Sequence, residues 1–133
     1  MRQASSDPQD ELRVLIADDE QPIRLMMRVN LEAEGIAVVE AEDGQRAVEL
    51  AVADPPDVAL LDIFMPSLDG WQVAERLRAH EPTADVPIIF LTAQPTQDFE
   101  RRAQADGALF VPKPFDPVHL PTLVREVVSG KRS

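Results

Sequence analysis

The sequence predicts an α/β protein, one parallel sheet with helices on both faces, and three observations carry that prediction. Short apolar runs alternate with amphipathic stretches five times along 133 residues, the pattern of strand–helix units feeding a single sheet. The run Ile88 to Thr92 is apolar until its last residue, as a strand covered on both faces should be. Two runs end in acid: Leu12 to Ile16 passes through Ala17 into Asp18-Asp19, and Val58 to Leu61 runs directly into Asp62. Parallel strands share a direction, so such tips meet at one edge, where open α/β sheets place their sites.

Each element has its own signals. The first strand is read over Arg13 to Ala17. Pro22 suits the first turn of the helix that follows; Ile23, Met27 and Leu31 line one face at intervals of four, and Gly35 closes it. The second strand spans about Ala37 to Ala41. Asp43 is the expected N-cap of a helix carrying Ala47, Val48, Leu50 and Ala51, which Pro55-Pro56 terminates. The third strand is Val58 to Leu61. After a loop from Met65 to Gly70, a helix from about Trp71 to Ala79 presents Val73, Ala74 and Leu77 at helical spacing, and Pro82 follows its end. The fourth strand, Ile88 to Thr92, leaves Thr92 at its C-terminal tip. A weaker helix from about Asp98 to Ala105 gives way at Gly107 to the fifth strand, Leu109 to Val111, with Lys113 close behind. The last helix, capped by Asp116 and running to about Val128, repeats Leu120, Leu123, Val124 and Val127 on one stripe. Residues 1–11 read as a flexible N-terminal extension, 12–128 as the domain and 129–133 as a tail. Helical spacing assigns Met26, Met27 and Trp71 to packing; His80 and His119 are assigned to the surface.

Composition narrows the function. The length suits one domain, and no apolar stretch approaches the roughly 18 residues of a membrane span. The polar start, Met1 to Glu11, lacks the apolar core of a secretory signal, so a soluble cytoplasmic protein is expected. With no cysteine and two scattered histidines, any metal must sit on oxygen. Twenty-four acidic against 13 basic side chains leave a net charge of −11, which repels phosphate backbones and makes direct DNA binding by this chain unexpected.

The strand tips gather Asp18, Asp19, Asp62, Thr92 and Lys113 along one edge. Three converging carboxylates repel one another unless a cation or a shared proton intervenes. Oxygen ligands favour a hard cation, and Mg²⁺ takes one or two carboxylates while keeping waters that a phosphate can replace. Lys113 and Thr92 would hold phosphate oxygens, leaving Asp62 free to attack phosphorus. Plainer roles exist for each residue. Asp62 could end a strand in solvent, Asp18-Asp19-Glu20 could favour a helix dipole, Thr92 is a good strand former and Lys113 could snorkel. Their convergence on one edge favours the site.

These residues carry a resemblance. Asp18-Asp19, then Asp62-Ile63-Phe64-Met65-Pro66 with Asp69-Gly70, Thr92-Ala93 and Lys113-Pro114-Phe115, taken in order over Leu12 to Val128, resemble the receiver domain of bacterial two-component response regulators. The resemblance implies a flavodoxin-like (βα)5 sandwich with strand order 2-1-3-4-5, accepting a phosphoryl group from a sensor histidine kinase or histidine phosphotransferase onto Asp62. It implies Mg²⁺ bound by Asp19, by Asp18 largely through water, by Asp62 and by the Phe64 backbone carbonyl, with Thr92 and Lys113 on the phosphoryl oxygens. It also implies a switch, in which Thr92 is drawn in and Phe110 moves into the space it leaves, read by a partner protein on the face of the fourth helix, fifth strand and fifth helix. The Lys113-Pro114 bond is often cis in such proteins.

By the same resemblance, Phe64 stands two residues past Asp62 where many such domains carry a small or polar residue, and Gln94 two past Thr92; both positions flank the path of a hydrolytic water, and the bulk of Phe64 is expected to slow dephosphorylation. Two other functions compete. A phosphohydrolase using Asp62 as nucleophile is disfavoured because no cap segment or general acid is evident. A flavodoxin-like cofactor carrier is disfavoured because Asp18-Asp19-Glu20-Gln21 stands where a phosphate loop would be. A free-standing receiver is expected rather than a fragment of a longer regulator.

Overall fold

The computed structural model describes residues 12–113 and 115–132; the expected N-terminal extension and the Lys113-Pro114 bond lie outside them. Five parallel strands, β1 (Arg13–Ala17), β2 (Ala37–Ala41), β3 (Val58–Asp62), β4 (Ile88–Thr92) and β5 (Leu109–Pro112), form one sheet in the order β2-β1-β3-β4-β5. Between and after them run α1 (Gln21–Glu32), α2 (Gly44–Ala53), α3 (Gly70–Ala79), α4 (Gln97–Ala105) and α5 (Leu120–Arg132). The parallel sheet is the one that the strand–helix alternation predicts, and its order is that of the flavodoxin-like fold the resemblance implies.

Alternation along each strand divides the core in two. Leu15, Leu61 and Phe90 pack with Ala47 and Ala51 of α2, Trp71, Val73 and Leu77 of α3, and Ala103 of α4. Ile16, Leu60, Ile89 and Leu91 pack on the other face with Met27 and Leu31 of α1 and Leu120 and Val124 of α5. β3 and β4 are buried along their whole length, which is why both read as continuous apolar runs. Each fully buried large side chain stabilises the fold by about 1.5–3 kcal/mol.

Several ends differ from expectation. Asp62 belongs to β3 itself. α4 starts at Gln97, where Thr96 caps it by accepting from the Phe99 amide at 3.1 Å; the run Gln94-Pro95-Thr96-Gln97, which has no apolar periodicity, hides that start. Asp116 caps a 3₁₀ turn at Pro117–His119 rather than α5, which begins at Leu120. α5 continues past Val128 to Arg132. Gly130 predicts a stop there, being about 1 kcal/mol worse than alanine in a helix, and buried Val124 and Val128 anchor the helix ahead of it. A second 3₁₀ turn, Glu81–Thr83, lies where only Pro82 gave a signal. No helix among the described residues is long and apolar enough to cross a membrane.

Candidate functional site

Three backbone turns aim the strand-tip side chains. After β1, the Glu20 amide donates to Asp18 Oδ1 at 2.9 Å, a local Asx bond that turns the chain into α1 and holds the carboxylate. The Asp18 amide donates to the Ala41 carbonyl at 3.2 Å, extending the β1–β2 ladder by one residue. After β3, the Ile63 amide reaches the Leu91 carbonyl at 2.9 Å and the Gly70 amide returns to the Ile63 carbonyl at 2.8 Å. Gly70 has to be glycine: a Cβ there would stand 2.5 Å from the Asp62 carbonyl oxygen. After β5, the Lys113 amide donates to the Thr92 carbonyl at 2.7 Å, which brings the lysine back over β4.

The loop between Asp62 and Gly70 is pinned to α2. Ser67 adopts φ 66°, a left-handed conformation unusual for a residue with a Cβ. Its hydroxyl accepts from the Gln45 amide at 3.0 Å and donates to Asp43 Oδ1 at 3.3 Å, while the Gly44 amide donates to the Pro66 carbonyl at 3.3 Å. Asp69 and Gln72 form a reciprocal capping box that starts α3.

Oxygens of Asp18, Asp19 and Asp62 lie within 4.8 Å of one another. Asp18 is fully buried, Asp62 is buried and Asp19 is exposed. Lys113 Nζ stands 2.7 Å from Asp18 Oδ2 and 3.6 Å from Asp62 Oδ1. Burial, and after it the neighbouring Asp18, pushes the Asp62 carboxyl up to about 6 despite the opposing pull of Lys113. Burial would lower the Lys113 ammonium, but its bond to Asp18 and the surrounding acid outweigh that and raise it. One ammonium among three carboxylates leaves an excess of negative charge, a set of oxygen donors suited to a small divalent cation.

Thr92 is fully buried at the tip of β4, its hydroxyl oxygen accepting from the Gln94 amide at 3.1 Å. Phe110 is half-buried on β5, opposite Phe90 in the ladder and against the α2–α3–α4 core. Phe64 is 50% exposed; its ring lies 5.8 Å from that of Phe99 on α4, which lies 5.9 Å from Trp71. Trp71 and Met27 are buried core residues and His119 is exposed. Sequence reasoning passed over Ser67, Phe99 and Arg24. Arg24 donates from Nη1 to the Asp18 carbonyl at 2.8 Å; its place in the first turn of α1, beside the acid run, was the available signal.

The sequence profile of the response regulator receiver domain matches residues 14–125. The chain is 40% identical over 116 residues to the phosphate regulon transcriptional regulatory protein PhoB of Pseudomonas aeruginosa, covering 86% of this chain and 51% of that protein. It is 38% identical over 117 residues to the DNA-binding dual master transcriptional regulator RpaA of a Synechocystis species, covering 87% and 48%. The chain thus spans about half the length of these relatives. Among solved structures, chemotaxis protein CheY4 of Vibrio cholerae superposes with a TM-score of 0.81 at 30% identity, covering 88% of this chain and 98% of that one. A Francisella response regulator receiver domain gives 0.81 at 28%, covering 90% and 98%. Sequence and fold agree over nearly the same span, and the chain belongs to the response regulator receiver domain family.

Proposed function

We propose that Asp62 is the phosphoacceptor of this receiver and that Asp18, Asp19 and Asp62, with the Phe64 carbonyl, hold Mg²⁺ beside it. The observation that carries the reading is the charge imbalance at the strand tips, three carboxylates with oxygens within 4.8 Å and one lysine. Both Asp18 oxygens already have partners, the Glu20 amide and Lys113, which supports a role for Asp18 through water and a direct one for Asp19. When bound, Mg²⁺ neutralises charge and aligns the phosphoryl oxygens.

An Asp62 carboxylate oxygen attacks the phosphorus of a phosphohistidine on a sensor kinase or phosphotransferase. The P–N bond breaks and its electron pair stays on the histidine nitrogen. Lys113 and the Thr92 hydroxyl receive the phosphoryl oxygens, and Phe110 follows Thr92 inward, altering the α4–β5–α5 face that a partner protein reads. The chain acts as a switch rather than as a turnover enzyme, in the cytoplasm. Its acidity argues against direct contact with nucleic acid.

The test is incubation with a small phosphodonor with and without Mg²⁺, followed by intact mass. A single Mg²⁺-dependent phosphoryl adduct on the wild type, absent from Asp62→Asn, is expected. Labelling that survives the substitution, or continuous phosphate release without an adduct, would reject the assignment.

A further inference from the structure

The main chain of Asp18 is gripped on both of its polar groups by residues outside the acid cluster. Its amide is bonded to the β2 carbonyl of Ala41. Its carbonyl accepts from Arg24 Nη1 at 2.8 Å, while Arg24 Nε donates to Glu40 Oε1, also on β2, at 3.0 Å. Arg24 is only 14% exposed and Glu40 24%. The guanidinium is a planar fork with donors at fixed angles, so anchoring one side on Glu40 fixes where the other meets the Asp18 carbonyl. That carbonyl belongs to the peptide joining Asp18 to Asp19, so its orientation sets where the Asp19 carboxylate starts.

We infer that Arg24, oriented by Glu40, is a positioning residue that holds the Asp18–Asp19 peptide in the geometry that cation binding needs. The inference rests on the cation site proposed above. Groups behind metal ligands commonly change affinity by about 10–100-fold when removed, and this one acts through the backbone, a route that side-chain inspection of the ligands misses. Arg28 supplies an internal control. It bonds the other oxygen of the same Glu40 at 2.6 Å and Glu32 at 3.0 Å, and so shares the α1–β2 ion pairing while its bonds lead away from Asp18.

The experiment is calorimetric titration of Mg²⁺ into wild type, Arg24→Met, Arg24→Lys, Arg28→Met and Glu40→Gln, with melting temperatures in EDTA alongside. Arg24→Met is expected to weaken Mg²⁺ binding about tenfold, and Arg24→Lys, which keeps the charge but loses the fork, should fail to restore it. Glu40→Gln should fall between wild type and Arg24→Met, and it keeps the test open if Arg24→Met does not fold. Arg28→Met should bind within about twofold of wild type whatever it does to melting, as expected of an exposed ion pair. Binding by Arg24→Met as tight as wild type, or equal weakening in Arg28→Met, overturns the inference and leaves the cation site standing. A wild type that binds no Mg²⁺ overturns the cation site and this inference with it.

Discussion

The two edges of the sheet both carry excess acid, yet one spreads it over separate pairs and the other gathers it within one small cluster. Where the strands begin, Arg13 pairs with the Asp54 carboxylate and donates to the carbonyls of Asp54 and Pro55, and its own amide donates to Asp57 Oδ2 at 2.8 Å. Arg78 donates to the carbonyls of Ala84 and Val86 and pairs with Asp106. The buried Thr83 hydroxyl donates to the Leu77 carbonyl at 2.7 Å. A hollow of about 590 Å³ lies here, lined by Arg78, Asp85, Asp106 and Gly107 among others, and within it Arg78 and Asp106 meet each other. Where the strands end, oxygens of three carboxylates lie within 4.8 Å of one another and one lysine pairs with two of them. Polar groups that close on one another tie loops together, whereas acids crowded into one cluster call for a cation from outside.

The largest effect should come from making the imbalance worse. Lys113→Met leaves Asp18 fully buried without its ammonium, and stripping one partner from a buried pair destabilises by about 3 kcal/mol. Melting in EDTA should fall accordingly, and Mg²⁺ should recover more stability in this variant than in wild type. Equal recovery in both would mean the lysine and the cation do not answer the same charge. The opposite edge supplies the contrast. Thr83→Val removes a hydroxyl that donates to Leu77 and His80 carbonyls, a loss of about 2 kcal/mol for a buried acceptor. Mg²⁺ binding and phosphoryl labelling of the folded variant should stay at wild-type levels; a loss of either would couple the two edges.

Removing one of the excess charges should do the reverse. The Asp62 carboxyl is raised from 3.8 to about 6 in the fold, so between about pH 4 and 6 the folded state holds more protons than the unfolded one, and stability falls as pH rises through that window. Asp62→Asn abolishes that loss. In EDTA at pH 8 it should be more stable than wild type by about 1–2 kcal/mol after screening, with the gap closing towards pH 4 and in saturating Mg²⁺. A variant no more stable at pH 8 would show that Lys113 already satisfies the aspartate.

The strands and the acid tips were legible because each rests on a short stretch of chain: a covered strand must be apolar throughout, and the residue after it emerges at the edge. Asp18, Asp19, Asp62 and Lys113 come together because parallel topology leaves their positions little choice. What stayed hidden depends on partners far along the chain. Arg24 acquires its place from Glu40, sixteen residues on; Ser67 from the start of α2; Phe64 from Phe99 on α4. The late end of α5 was obscured for another reason: Gly130 disfavours a helix interior, yet the helix runs through it, as tertiary packing commonly overrides propensity.

The smallest effect concerns the rim between the pocket and α4. Phe64 is half exposed and leans on Phe99, which lies near Trp71, itself 4.3 Å from Phe90 between ring centroids and covered by Arg102 at 4.4 Å. The ring is therefore held by the helix beside the site rather than by the acids within it, and exchanging it should disturb neither the charge balance nor the core. Phe64→Asn replaces apolar bulk by an amide that can hydrogen-bond a water near Asp62. The adduct's half-life after donor removal, followed by intact mass, should shorten about fivefold, equivalent to about 1 kcal/mol in the barrier, with melting nearly unchanged. Phe99→Ala, which frees the Phe64 ring without altering it, should shorten the half-life less. An Asn variant that keeps its phosphoryl group as long as wild type would remove Phe64 from control of lifetime and leave the task to groups inside the acid pocket.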